Sequence, residues 1–155
     1  AARFFYVMRK YNQHLDFDLD LAKSQSSQNP VYYIQYAHAR VSSVLRTLKE
    51  QGYEYDEKLG LSALNELDND HEQQLMNQLQ KFPEMLTLAA RDHEPHLVAY
   101  YLRELADKFH TYYNAHHFIV EEANLRNARL CLVLAVQCVL NNGLSLIGVS
   151  SPEKM

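Results

Sequence analysis

The stretch from Asn29 to Leu48 decides the fold, and it reads Asn-Pro-Val-Tyr-Tyr-Ile-Gln-Tyr-Ala-His-Ala-Arg-Val-Ser-Ser-Val-Leu-Arg-Thr-Leu. Asparagine favours the N-cap of a helix and proline its first turn, so Asn29 and Pro30 predict a helix start. An apolar stripe at three- and four-residue spacing follows, made of Ile34, Ala37, Val41, Val44, Leu45 and Leu48. Such a stripe is typical of a helix with one face in a protein core.

A second row of side chains lies about 100° round the same helix. It holds Tyr33, Tyr36 and Arg40 at i, i+3 and i+7. Aromatic faces stack on unpaired bases, and a guanidinium can stack or bind phosphate. Tyrosines at the edge of a buried face are also ordinary packing residues with hydroxyls in water. The spacing alone therefore leaves both interpretations open.

The composition indicates one helical domain. The chain has 155 residues, 47% of them apolar, which is enough for one buried core. It contains four glycines and four prolines, and its strongest patterns have helical period, so we predict an all-α helical bundle. No apolar run approaches eighteen residues, so we expect no membrane span. The chain begins without methionine inside an apolar pattern, and we expect it to be a fragment of a longer protein.

The charge is unevenly distributed around a net value of −4. Residues 31–49 contain three basic residues and no acid, whereas residues 50–75 contain eight acids and one lysine. The helix with the tyrosines is thus locally basic, although charge alone would not hold RNA. This distribution suits a domain that reads a few splayed bases while another domain contacts phosphates.

The sequence predicts no metal site. Cys131 and Cys138 lie seven residues apart in a helical pattern, about 10 Å along the axis, and cannot form a disulfide within one straight helix. We expect free, buried thiols, which fit a reducing cytosol. The eight histidines match no helical metal motif. Asp16, Asp18 and Asp20 lack the glycine and glutamate of an EF-hand loop.

Further helices are predicted along the chain. Residues 1–10 read as the end of an amphipathic helix, and the alternation of residues 16–21 fits a short strand or an extended connection. The remaining helices are expected from an Asp70 cap to Lys81, over 82–91, over 96–117, and from 121 or 124 to a C-cap at Asn142-Gly143.

An aromatic pair stands out in the predicted 96–117 helix. Phe109 and Tyr113 are four residues apart and are expected to be neighbours on its surface, with core packing as the alternative. Tyr112 stands beside Tyr113, which leaves open which tyrosine points outward.

Three segments resemble one protein family. Asn-Pro-x-Tyr-Tyr-x-Gln-Tyr-Ala-His-Ala-Arg at 29–40 resembles the first helix of the anticodon-binding domain of arginyl-tRNA synthetases. Residues 140–155, with a terminal methionine, resemble that family's C-terminus. Residues 1–6 resemble the segment that closes its catalytic core. The resemblance implies that residues 1–29 are the end of that core and a connection, and that residues 30–155 are an anticodon-binding bundle of the class Ia type.

The resemblance also implies a set of RNA-binding residues. It assigns stacking to the tyrosines of the first helix, a phosphate or base-edge contact to its arginine, an opposing wall to the aromatic pair, and an apolar contact to the terminal methionine. An asparagine shapes the loop at the domain entry. The full set is Asn29, Tyr33, Tyr36, Arg40, Phe109, Tyr113 and Met155.

An enzymatic activity is implied for the longer parent protein. By resemblance the parent is cytoplasmic and esterifies arginine to its tRNA with ATP and Mg. The His-Ile-Gly-His-like and Lys-Met-Ser-Lys-like motifs of class I synthetases are absent from this chain, so we expect no catalytic residue, no cofactor and no activity in it alone.

The expected partners are arginine tRNA, through its anticodon loop, and the parent's own catalytic domain, with no membrane partner; the chain is expected to be a monomer. Two alternatives remain. One is a helical protein–protein interaction module with the tyrosine row as its hot spot. The other is a related anticodon domain of another class I synthetase.

Overall fold

The computed structural model describes residues 1–10 and 17–155, and those residues form helices and no strand. The elements are α1 (Ala2–Val7), α2 (Leu19–Lys23), α3 (Pro30–Glu50), α4 (Glu57–Ser62), a 3-10 turn (Leu64–Glu66), α5 (Asp70–Gln80), α6 (Phe82–Arg91), α7 (His96–Ala115) and α8 (Ala123–Leu146). The predicted all-α class is therefore confirmed.

The core of the bundle forms where α3, α7 and α8 meet. α8 packs against α3, α4, α5 and α7, and α3 also contacts α7 directly. The predicted α3 stripe lies in this core, except that Leu45 is half-buried at its edge. The largest fully buried side chains of α7 and α8 are Leu102, Leu105, Phe109, Tyr112, Leu130, Leu140 and Leu144.

Among the described helices, α8 is long and apolar enough to cross a membrane by length and composition. Its packing explains that composition, because it is the helix that most of the bundle surrounds. Its first turns also carry polar groups bonded within the protein. Arg126 donates to the carbonyl oxygens of Val120 and Glu121 at 2.7 and 2.9 Å, and Asn127 accepts from the backbone N–H of Asp56 at 2.8 Å.

The N-terminal segment is helical and rests on the bundle. Phe4 of α1 is fully buried, which fits the predicted end of an amphipathic helix. The strand considered for residues 16–21 is wrong over the part that the structure describes. Asp18 instead accepts from the backbone N–H of Leu21 at 2.9 Å and caps α2. Asp16 lies outside the described residues.

Two local predictions need small corrections. The cap of α5 is Asn69, one residue before the predicted Asp70, and Asn69 forms a reciprocal capping box with Glu72. Cys131 is half-buried but Cys138 is exposed, because its side chain points away from the core face of α8. Both thiols are free.

The predicted helix end at Asn142-Gly143 is wrong, since α8 continues to Leu146. Gly143 is needed for packing: a Cβ there would lie 2.5 Å from Cδ2 of Leu102 on α7. The chain turns at Gly148, which has a φ of 67°. The N–H of Gly148 donates to the carbonyl of Ser145, and the N–H of Val149 donates to the carbonyl of Leu144. These two bonds form a Schellman motif at the end of α8.

Candidate nucleic-acid interface

The contact between α3 and α7 places a guanidinium between two tyrosine rings. Cζ of Arg40 lies 4.6 Å from the ring centroid of Tyr36 on α3 and 4.4 Å from that of Tyr113 on α7. These are favourable cation–π distances. We call Tyr36, Arg40 and Tyr113 the tyrosine–arginine cluster. Tyr36 is its most open member, with 37% of its surface exposed.

Neutral groups hold the guanidinium of Arg40 in place. Its Nη1 donates to Nδ1 of His110 at 3.1 Å and to Oδ1 of Asn114 at 3.3 Å. Among the described residues, no carboxylate forms an ion pair with Arg40. The positive charge is therefore oriented without being neutralised, and it remains available to a phosphate or a base edge.

His110 lies beneath the cluster and is buried, with 4% exposure. Its Nε2 donates to the backbone carbonyl of Tyr33 at 3.1 Å. Because that carbonyl only accepts and the guanidinium only donates, the ring is neutral with its proton on Nε2. Burial chiefly lowers the pKa of His110 below its usual range, and the nearby Arg40 charge lowers it further.

Tyr33 joins the same surface one turn before Tyr36. Its ring centroid lies 4.4 Å from that of His110, and its hydroxyl donates to Oδ1 of Asp107 at 3.1 Å. Burial raises the pKa of Tyr33, and the Asp107 carboxylate raises it further. Tyr33 thus supports the cluster from α3 and remains half-buried.

Side chains of α3 hold the C-terminal tail by donating hydrogen bonds to the backbone carbonyl oxygens of the tail. Gln35 donates to Ser150 at 2.8 Å, His38 donates through Nδ1 to Pro152 at 3.0 Å, and Arg46 donates to Glu153 at 3.2 Å. The three donors come from one helix, so the tail follows α3 toward Arg40. This path leaves Met155 48% exposed beside the cluster.

Together these parts enclose an open pocket of about 380 Å³. Its walls come from α3, α7 and the tail, and they comprise Tyr36, Ala39, Arg40, Ser43, Arg46, Tyr113, Glu153, Lys154 and Met155. A second cavity of about 360 Å³ shares Tyr113 with the first. It is lined by Val44, Thr47, Gln51, Tyr113, Asn114, Ala115, His116, His117, Phe118 and Ile119. Both have the concave, mixed character of a ligand site.

Four of the predicted site residues meet in this pocket, namely Tyr36, Arg40, Tyr113 and Met155. Of the two tyrosines between which the sequence leaves the choice open, Tyr113 lines the pocket, whereas Tyr112 is fully buried.

The expectation that Phe109 lies on the surface is wrong. Phe109 is 0% exposed, so neither face of its ring is open to a base. It packs against Tyr113, with ring centroids 6.0 Å apart.

Asn29 is buried as well and has a structural role. Its Oδ1 accepts from the N–H of Val31 at 3.2 Å, which confirms it as the N-cap of α3. Its Nδ2 donates to the carbonyls of Ala22 and Ser24 at 3.2 and 2.8 Å. The residue therefore joins α2 to the start of α3, and its side chain is not exposed to a ligand.

Sequence reasoning missed several members of this surface. Tyr32 stacks on Tyr36, with centroids 6.1 Å apart, and its i, i+4 spacing could have revealed it. His110 and Asn114 have the same spacing on α7, one helical step from the Phe109–Tyr113 pair. Both residues of this polar row reach Arg40 on α3, and their shared spacing is the signal that could have found them.

The structure places no group of three or more His, Cys, Asp or Glu side chains for a metal ion within residues 1–10 and 17–155. Four histidine side chains instead make hydrogen bonds, namely His38, His71, His110 and His116. His71 and His116, for example, are bonded through Nδ1 and Nε2 at 3.0 Å.

Comparison with known proteins identifies the family. An arginine–tRNA ligase of Thioalkalivibrio sulfidiphilus is 60% identical over all 155 residues, and one of Coxiella burnetii is 57% identical; the chain spans 26% of each relative. Thermus thermophilus arginyl-tRNA synthetase superposes with a TM-score of 0.80 at 33% identity, over 99% of this chain and 26% of that one. The resemblance inferred from the sequence is thus confirmed. The DALR anticodon binding domain matches residues 34–155, and this chain belongs to that family.

Proposed function

We propose that this chain is the anticodon-binding part of an arginine–tRNA ligase, and that residues 30–155 bind the anticodon stem-loop of arginine tRNA. Residues 1–29 would be the end of the catalytic core and the connection from it. The relatives' names support the arginine enzyme over another class I synthetase.

The observation that carries this proposal is the guanidinium of Arg40, which lies between Tyr36 and Tyr113 at an open pocket and has no carboxylate partner in the part of the chain that the structure describes. Unpaired bases stack on aromatic rings and on guanidinium planes, whereas the backbone of the same nucleotides needs a positive charge. A single cluster offers both. The cluster also has space beside it for bases, since two cavities of about 380 and 360 Å³ are both lined by Tyr113.

Each exposed residue then has a separate role. Tyr36 and Tyr113 stack on loop bases, Arg40 contacts a phosphate or a base edge, and Met155 makes an apolar contact from the tail. Tyr33 contributes the edge of the platform beside Tyr36. Asn29 acts indirectly by fixing the start of α3, and Phe109 supports Tyr113 from the core.

The activity of the longer protein is part of the same proposal. The parent would esterify arginine to its tRNA with ATP and Mg, using a catalytic domain outside this chain. It would act in the cytoplasm as a monomer. This chain would supply recognition of the tRNA and no catalytic group.

The test is a titration of arginine tRNA into this chain at about 50 and 200 mM salt, compared with the same tRNA carrying a changed anticodon. We expect tighter binding to the arginine anticodon at both salt concentrations. We also expect weaker binding of both RNAs at the higher salt, since phosphate contacts release counterions.

Other outcomes would argue against anticodon recognition. Equal, salt-sensitive binding of both tRNAs would indicate a nonspecific RNA surface. Absence of binding to either tRNA would refute RNA recognition by this chain and favour the protein–protein interaction module.

A further inference from the structure

His110 occupies an unusual place among the groups that hold Arg40. Asn114, the other partner of the guanidinium, is exposed, whereas His110 is 4% exposed and is fixed from its far side by the Tyr33 carbonyl. Its ring also lies 5.7 Å from that of Tyr36, with 28° between the planes. The imidazole is therefore the rigid partner of a long and otherwise flexible side chain.

We propose that His110 is a positioning residue for RNA binding: its neutral ring accepts a hydrogen bond from Arg40 and thereby fixes the guanidinium between Tyr36 and Tyr113. This inference rests on the proposed function of the cluster. It adds that the RNA-binding form requires His110 to be unprotonated.

The choice of a neutral acceptor has a physical consequence. A carboxylate in the same place would hold Arg40 more strongly, but it would neutralise the charge that RNA needs. An imidazole with its proton on Nε2 orients the guanidinium and leaves the charge intact. Fixing a long side chain before binding also lowers the entropy cost of the complex.

Protonation would remove this support. A second proton on Nδ1 would point at a guanidinium, which has no acceptor, and would add a like charge. The charged or titratable groups that face His110 are Arg40, Tyr33 and Tyr36 from α3 and Asp107 from α7. Burial and Arg40 lower the pKa of His110, while Asp107 and the Tyr33 carbonyl oppose them.

The expected pH dependence of RNA binding through His110 is opposite to that of exposed histidines. Protonation of exposed histidines adds positive charge and strengthens RNA binding as the pH falls. Protonation of His110 weakens binding, because it releases Arg40. The contribution of His110 is therefore present at its usual pKa of about 6.5 and above, and it is lost as the pH falls through the lowered pKa that His110 has in the folded protein.

Two substitutions separate the two nitrogens of the ring. His110→Asn places an amide oxygen near the position of Nδ1 and keeps an acceptor for Arg40. His110→Gln places an amide nitrogen near the position of Nε2 and keeps only the donor to Tyr33. Neither side chain titrates, so both substitutions remove the pH-dependent contribution of residue 110 to RNA binding.

The experiment measures the Kd of the anticodon stem-loop RNA of arginine tRNA between pH 5.5 and 8. It uses wild type, both His110 variants, Arg40→Ala, and Arg40→Ala combined with His110→Gln. Far-UV circular dichroism and a thermal melt at each pH confirm that every variant is folded. We expect His110→Gln to bind about fivefold to tenfold more weakly at pH 8, a loss in the range of one intramolecular hydrogen bond of ordinary strength, since Asn114 still holds Arg40.

We expect no further loss from His110→Gln in the Arg40→Ala background, because His110 acts through Arg40. As the pH falls from 8 to 5.5, wild type should lose up to about fivefold in affinity relative to His110→Asn, and the full factor is reached when His110 is fully protonated. Equal pH profiles for these two proteins would overturn the inference, as would an undiminished effect of His110→Gln without Arg40. Absence of wild-type binding at pH 8 would refute the proposed function itself, and this inference with it.

Discussion

Tyr112 and Tyr113 are neighbours on α7 and both contact Phe118, yet their side chains belong to two different sets of interactions. Tyr112 is fully buried, and its hydroxyl donates to Oε1 of Glu72 at 2.8 Å. Nε of Arg129 donates to the same oxygen at 2.9 Å. We call Glu72, Tyr112 and Arg129 the Glu72 network. Tyr113 instead lies against Arg40 at the open pocket.

The difference between the regions lies in how each arginine is compensated. In the Glu72 network a carboxylate with 0% exposure neutralises Arg129. In the tyrosine–arginine cluster, neutral groups orient Arg40 and leave its charge unpaired. An arginine whose charge is neutralised inside the protein contributes to stability, whereas an arginine that is oriented but not neutralised is available for binding. Substitutions in the two regions should therefore affect two different measurements.

The largest effect is expected for Glu72→Ala. The substitution leaves Arg129 without its counterion and the buried Tyr112 hydroxyl without an acceptor, and it removes the capping box of α5. Breaking a buried pair by removing one partner costs about 3–5 kcal/mol of unfolding free energy. Urea denaturation followed by circular dichroism measures this value. Arg40→Ala is the control, with an expected loss below about 1 kcal/mol. Equal losses of unfolding free energy would show that the Glu72 network contributes no more to stability than the tyrosine–arginine cluster.

Tyr112→Phe and Tyr113→Phe form a matched pair of single-oxygen deletions. Tyr112→Phe removes a buried hydrogen bond to a carboxylate and should lower the unfolding free energy by about 1.5–3 kcal/mol. Tyr113→Phe keeps the ring that contacts Arg40 and should change stability by less than about 0.5 kcal/mol. Thermal and urea unfolding of both variants give the ranking. A greater loss from Tyr113→Phe would show that the two regions are assigned the wrong way round.

Tyr36→Ala should affect RNA binding and leave folding nearly unchanged. A stacked base contributes on the order of 1–3 kcal/mol, so we expect binding of the anticodon stem-loop of arginine tRNA to weaken about tenfold. The loss is measured as a Kd in low salt. Tyr100→Ala is the control, since Tyr100 is 44% exposed on α7 but lies thirteen residues, or about 20 Å of helix, before Tyr113.

The helical periodicity of the sequence was enough to predict the class and most of the helices. The stripe from Ile34 to Leu48 is regular, and its burial follows from its spacing alone. The end of α8 was not predictable in that way. Gly143 resembles a helix terminator, and only the approach of Leu102 from α7 shows that the glycine is there for packing.

The site was predictable in its residue types and less so in its orientation. Neighbouring residues on a helix differ by about 100°, and a pattern with apolar residues on several sides does not define the rotation that closely. The sequence therefore places Phe109 outward, whereas in the structure α7 turns His110 toward α3. The path of the tail depends on long-range bonds such as that from His38 to Pro152, which no local pattern encodes.

The smallest expected effect compares one histidine from each region. The pKa of His110 is lowered, chiefly by burial, and the pKa of His116 is lowered by burial, by Arg129 and by His71. Both rings are neutral in the folded protein and protonate more readily when it unfolds. Their contribution to stability is therefore complete above the unfolded pKa of about 6.5 and is lost as the pH falls.

Urea denaturation between pH 7.5 and 5.5 should show a decline in unfolding free energy toward the lower pH. His110→Asn should flatten this decline more than His116→Gln, because His110 is buried under the tyrosine–arginine cluster and His116 is half-buried. The reverse order would mean that the bond between His71 and His116, beside the Glu72 network, governs the acid sensitivity. In that case the cluster would owe little of its order to the neutral form of His110, and Asn114 would be the main support of Arg40.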